Sequence, residues 1–239
     1  MENPSGNPLM REEGEDQESS AFFDSFFTEN NCNTYGWGPR QTYHPYIEII
    51  KQADPSNAAY FIHEGIVKLS WIDLSGHEMI TGLRYRGWII GAPSVILKKS
   101  YSFTVTTLEK SVLRCISAKN FLHLVETHPE FATHMLRMLC QEYFTQGKKL
   151  GMLGCVSGRD RLKYLLYQFI RDVYKQTKMH EKMKVHLPLK HKELAQIIAV
   201  SPEHLSRLLK ELEMQKVIRR EKENIIILDH ETVQQWASL

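Results

Sequence analysis

Glu203, Ser206 and Arg207 lie within "SPEHLSRLLKEL" (201–212), spaced so that on a helix all three share one face within little more than a turn. The three side chains suit the edges of base pairs. Arginine donates two hydrogen bonds to guanine O6 and N7, glutamate accepts from cytosine N4, and serine serves either partner. The same residues could also form a solvated face, with Glu203 and Arg207 as an i,i+4 ion pair contributing about 0.3–0.5 kcal/mol. Placement argues for reading bases. Ser201 is a natural N-cap and Pro202 fits the first helical position, where its missing N–H costs nothing. The helix therefore starts abruptly after Val200, and the three residues fall in its first turns, the part of a recognition helix that enters a major groove.

The neighbouring segments supply what such a helix needs. "KHKELAQIIAV" (190–200) predicts a preceding helix numbered from His191, with Ala195 small enough to face the second helix. Ile198 and Leu205 pack between the two helices and Leu208 closes their core. The intervening turn would prefer glycine at 199, where φ turns positive. The chain has Ala199, at a cost of about 1 kcal/mol. "VIRREKENIIIL" (217–228) then predicts a β-hairpin turning near Glu221–Asn224, a wing that brings basic side chains to phosphates. Candidates for backbone contact are Ser201, His204, Lys210, Arg219, Arg220 and Lys222.

Upstream, "RDRLKYLLYQFIRDVYKQ" (159–176) is an amphipathic helix and "VHLPL" (185–189) a short strand. A helix of about 28 residues over 129–157, roughly 42 Å long, carries Leu136, Leu139, Tyr143, Gln146, Leu150 and Leu153 at alternating three- and four-residue steps. That is a heptad seam with one polar member, and self-association accounts for it better than packing within the chain. Gly147, Gly151, Gly154 and Gly158 recur along what reads as one face of this helix. Either two backbones approach closely there or the helix end is soft.

From 35 to 118 the texture is β: "YIEII" (46–50), two runs in "AYFIHEGIVKLSWI" (59–72) around Gly65, "EMITGLRY" (78–85), "WIIG" (88–91), "SFTVTTLE" (102–109) and "VLRCIS" (112–117). Short strands at this spacing, with turns such as "DPSN" and "DLSGHE", predict an antiparallel barrel or sandwich. "AKNFLHLVETH" (118–128) is a short helix stopped by Pro129. Residues 1–20 are acidic and polar, as in disordered segments, with no apolar core of a secretory signal, and "AFFDSFF" (21–27) should dock on the domain that follows.

The formal net charge of +2 is unevenly spread. Residues 1–34 hold one Lys/Arg against eight Asp/Glu, whereas residues 158–239 hold 16 against 11. A basic C-terminal part points to an anionic partner. Cys32, Cys115, Cys140 and Cys155 are scattered with no C-x-x-C pair, which speaks for reduced thiols in a cytoplasmic protein and against a zinc or iron–sulfur site. No apolar run is long enough for a membrane span.

With these elements in place the sequence resembles the CRP/FNR family of bacterial transcription regulators over roughly 40–229. "AYFIHEGIVKL" is similar to the family's β-roll strands around its glycine, and "GAPSVILKKSYS" (91–102) stands at its phosphate-binding cassette. The resemblance implies an α+β architecture. Residues 1–34 would be an acidic, largely disordered extension and 35–128 an antiparallel β-roll sensor domain (a cupin-like double-stranded β-helix). Residues 129–157 would be the dimerisation helix and 158–239 the winged helix-turn-helix. It implies a homodimer on double-stranded DNA, with RNA polymerase as a further partner of an activator. E-x-x-S-R is the family's FNR-type recognition pattern and implies a TTGA…TCAA palindrome with half-sites about 34 Å apart. Some members have an arginine just before the glutamate; here Pro202 stands there.

The family's cyclic-nucleotide signature is missing. Ala92 replaces the ribose-binding glutamate and Tyr101 the phosphate-binding arginine, leaving only Gly91 and Ser102, so cyclic AMP is not an expected effector. One Cys32 cannot supply the cysteines of an FNR cluster, and His77, in a turn, does not read as a haem ligand. No resident cofactor is expected. Trp71, Tyr85, Trp88, Ile90, Gly91, Tyr101 and Ser102, with Phe103, are candidates for a pocket, although several would also serve as core. An apolar effector, no effector, and redox control through the cysteines all remain open. A catalytic β-domain, or a ligand-binding module whose helix-turn-helix contacts proteins, is the competing reading. No G-x-S-x-G, H-E-x-x-H or phosphate-cradling glycine loop supports catalysis.

Overall fold

The computed structural model describes residues 22, 26–174, 183–222 and 224–236. The chain divides into two compact units, with the break between Gln146 and Gly147. The expected disorder of residues 1–20 lies outside the described residues.

The first unit contains α1 (Glu29–Tyr35), β1 (Gln41–Tyr43), β2 (Glu48–Ile50), β3 (Ala58–Glu64), β4 (Ile66–Ile72), β5 (Glu78–Tyr85), β6 (Ile89–Ile90), α2 (Ala92–Ile96), β7 (Thr104–Thr107), β8 (Ser111–Ser117), α3 (Ala118–Thr127) and most of α4 (Pro129–Cys155). Two four-stranded sheets, ordered β1-β8-β3-β6 and β2-β7-β4-β5, are antiparallel throughout and form the β-roll. Ile50, Ile62, Val67, Ile90, Val105 and Leu113 fill the space between them. Gly65, between β3 and β4, has φ +92°, and a Cβ there would meet Ser111 Oγ at 2.2 Å and its Cα at 2.7 Å. Only glycine lets the hairpin turn this close to β8.

A second cluster joins the outer face of the roll to α1, α3 and the start of α4 through Phe27, Cys32, Trp37, Phe61, Phe121 and Phe131. The described phenylalanines of "AFFDSFF" belong to it. Phe27 stacks on Phe61 with centroids 3.7 Å apart, and Phe26 stacks on Phe131 at 5.1 Å. The boundary expected at 34/35 falls at the end of α1, and residues from Phe26 onward pack into the same unit as the roll.

The second unit holds the last turns of α4, α5 (Gly158–Tyr174), β9 (Lys184–His186), α6 (His191–Ile197), α7 (Pro202–Met214), β10 (Ile218–Glu221), β11 (Asn224–Ile227) and α8 (His230–Gln235). Its sheet runs β10-β11-β9, and Leu162, Leu166, Ile170, Leu194, Leu205 and Leu208 are among its core residues. The glycine stripe needs correcting. α4 ends at Cys155, so Gly158 begins another helix, and added Cβ atoms at Gly147, Gly151 and Gly154 meet nothing within 4 Å. Among the described residues no backbone outside the helix itself approaches them; of the four, only Gly158 is crowded, by Val200 Cγ1 at 2.8 Å.

Candidate DNA-binding site

α6 and α7 form the helix-turn-helix, and its turn is a Schellman motif. The Val200 N–H donates to Ala195 O at 3.0 Å and the Ala199 N–H to Gln196 O at 3.1 Å. Ala199 occupies the left-handed position with φ +51°, where glycine is the usual residue. Ala195 and Ile198 are buried on one side of the turn, and Leu205, Leu208, Leu209 and Leu212 on the inner face of α7. Ser201 caps α7, its Oγ accepting from the His204 N–H at 3.2 Å.

That burial turns Glu203, Ser206 and Arg207 to solvent together. Among the described residues no ion pair joins Glu203 to Arg207, and Ser206 Oγ lies 3.2 Å from His191 Nε2. The Glu203 carboxyl is held below its ordinary range by its own backbone amide and the Ser201 hydroxyl, with Arg207 and His191 adding to the effect. It is therefore ionised near neutral pH, the form that accepts from an amino group. Lys210, Arg219 and Lys222 are exposed, and Lys222 sits at the wing tip with φ +52°. Arg219 Nη2 reaches Glu221 at 3.0 Å. Arg220 differs: its guanidinium and its backbone amide both donate to Glu213, at 2.7 and 3.0 Å, and so fasten the wing to α7.

Two family models match this chain: a Crp-like helix-turn-helix domain over residues 160–236 and a cyclic nucleotide-binding domain over residues 40–128. The cyclic AMP receptor protein of Thermus thermophilus is 25% identical over 171 residues, covering 72% of this chain and 75% of its own. The cAMP-activated global transcriptional regulator CRP of Salmonella typhimurium is 23% identical over 199 residues, covering 83% and 90%. The chain belongs to the CRP/FNR family. It is a DNA-binding transcription regulator rather than an enzyme. FixK2 from Bradyrhizobium japonicum shares the fold, with a TM-score of 0.69 at 15% identity, covering 83% of this chain and 96% of its own.

In the β-roll of this CRP/FNR member the seven candidate pocket residues differ in exposure. Trp71 is 48% exposed on β4 and Ser102 faces solvent, whereas Ile90 and Tyr101 are buried in the core. The Tyr101 hydroxyl donates to Ala58 O at 2.7 Å and accepts from the Ala58 N–H at 3.2 Å. Gly91 (φ +82°) lies beneath it, where a Cβ would come within 3.1 Å of both Ala58 O and Tyr101 Cε1. Tyr101 thus ties the segment that follows α2 to β3. Tyr85 and Trp88 are half-buried, and the Arg84 guanidinium lies 4.5 Å above the Trp88 ring. Arg84 also pairs with Glu142 of α4, a link that sequence reading missed. A surface depression of about 360 Å³ lined by Asn57, Val95, Lys98, Ser100, Ala118 and Leu122 includes none of the seven.

Burial pushes the Cys32 and Cys115 thiols up, which disfavours the reactive thiolate, while Cys140 and Cys155 are exposed. Among the described residues no group of three or more His, Cys, Asp or Glu forms a metal-binding cluster, and no helix is long and apolar enough to cross a membrane.

Proposed function

We propose that this regulator acts in the cytoplasm as a homodimer on a TTGA-type palindrome, with half-sites about one helical turn apart. Glu203, Ser206 and Arg207 read bases. Ser201, His204, Lys210, Arg219 and Lys222 face the phosphates, and RNA polymerase is the second partner where the regulator activates. The observation that carries the reading is the joint exposure of three base-matching side chains on the first two turns of a capped helix, with no ion pair between Glu203 and Arg207.

Dimerisation runs through α4, whose Leu136, Tyr143 and Leu150 are 62%, 77% and 73% exposed. The roll works without cyclic AMP. A tyrosine already hydrogen-bonded to backbone offers no bidentate cation to a phosphate, and Ala92 has no group for a ribose.

Selection of duplexes from a random pool by the purified protein, with no ligand added, tests the reading. The expected product is a palindrome with TTGA-like arms. Enrichment of an unrelated motif would refute the base assignment. Enrichment only after cyclic AMP is added would refute the account of the roll.

A further inference from the structure

The Arg161 guanidinium gathers three backbone carbonyls from two places. Nε donates to Ile198 O at 2.8 Å and Nη2 to Ala199 O at 3.3 Å, both in the turn before α7. Nη1 donates to Val156 O at 2.5 Å, one residue past the end of α4. These carbonyls need a donor. The Schellman turn commits the Ala199 and Val200 N–H groups to Gln196 O and Ala195 O, so neither of these donors serves the oxygens of Ile198 and Ala199. A cation also suits the negative C-terminal ends of α4 and α6. Two neighbours strengthen the link. Gly158 leaves room for Val200, which any Cβ would strike at 2.8 Å, and Arg159 Nη2 reaches Glu211 Oε2 on α7 at 2.5 Å.

We propose that Arg161 is a positioning residue for DNA recognition, clamping the turn that launches the recognition helix to the end of the dimerisation helix. This rests on the dimeric, palindrome-reading function above. In such a dimer α4 is paired across the two-fold axis, so whatever fixes α7 to the end of α4 fixes how far apart, and at what relative rotation, the two recognition helices meet DNA. Arg161 itself touches no base. Its loss therefore acts on the tolerance for half-site spacing, which the loss of a phosphate contact would leave alone.

The test uses the full-length protein and the palindrome it selects, alongside duplexes with one base pair added to or removed from the centre. One base pair rotates a half-site by about 35° and moves it ~3.4 Å. The wild type should lose about tenfold in affinity for either altered spacing, whereas Arg161→Ala should lose only about threefold, with Arg161→Lys between them. Amide exchange, read on the same proteins without DNA, should be about tenfold faster at Ala199 and Val200 in Arg161→Ala and unchanged in the β-roll. Should Arg161→Ala not fold, Arg161→Gln, which retains a donor, takes its place. Unchanged exchange at the turn overturns the clamp. Faster exchange with an unaltered spacing profile overturns the positioning role and leaves Arg161 a structural residue. A wild type with no spacing preference overturns the palindrome reading and the positioning role together, and shows itself before any variant is measured.

Discussion

Arg207 has the chemistry to distinguish one base pair from the rest, and it is exposed with no ion pair to compete for its guanidinium among the described residues. Arg207→Ala should therefore cost about 1–3 kcal/mol on the selected palindrome and relax preference at one position per half-site. Titration against duplexes altered one base at a time reads this directly. An equal loss on every duplex, non-specific DNA included, would make Arg207 a phosphate contact. At this scale the sequence was informative where chemistry and spacing coincide. Ser201, Pro202 and the exposed triad are legible because a cap, an N1 proline and an amphipathic face each follow from residue type. The strain at Ala199 was legible too, since the position demands a positive φ and the side chain forbids an easy one. Arg161 and Arg220 were not, because the partners of a long charged side chain depend on which loops come near it in space. One arginine was overlooked, and the other is turned from the expected phosphates to Glu213.

Among the elements, long periodic segments were read closely, and of the short ones β2, β6 and β9 were read while β1, α2 and α8 were missed. α4, α5 and the hairpin strands β3, β4 and β5 declare themselves by helical or alternating patterns, and β5 spans the predicted residues 78–85. β1 has three residues, α2 five and α8 six, too few for any periodicity to show. The α4 seam raises a question that only association can answer. Leu136, Tyr143 and Leu150 stand exposed along it, and Phe144, 75% exposed and 6.0 Å from the Tyr143 ring, widens the apolar surface beyond the strict heptad positions. Such a row costs free energy in water and gains it against a second copy. Leu150→Lys places a charge at a position that the single chain already exposes, so helicity should hold. A paired seam would instead bury two ammonium groups near one another. Sedimentation equilibrium should show the mass fall from dimer to monomer, with palindrome affinity dropping at least tenfold, about 1.4 kcal/mol or more. An unchanged mass would move the dimer interface elsewhere.

For the molecule as a whole, the net charge of +2 understates its electrostatics, because the acidic and basic residues lie in different parts of the chain. DNA sees the C-terminal unit, and what counts there is the number of cations free to displace counterions. Lys210, Arg219 and Lys222 qualify on each protomer, although Arg219 must loosen its contact with Glu221, whereas Arg220 is held by two bonds to Glu213. In the proposed dimer, six such cations on phosphates would give a slope of log affinity against log salt of about −5, at roughly 0.9 per phosphate neutralised. Lys222→Ala removes one cation from each protomer and should reduce the slope by about 2. Arg220→Ala should leave the slope unchanged and lower stability, since it frees the wing from α7. Affinity titrations over a fourfold salt range separate the two. If Arg220→Ala flattens the slope as much as Lys222→Ala, then Glu213 releases its partner when DNA arrives, and the wing presents one more cation on the complex than it does in the free protein.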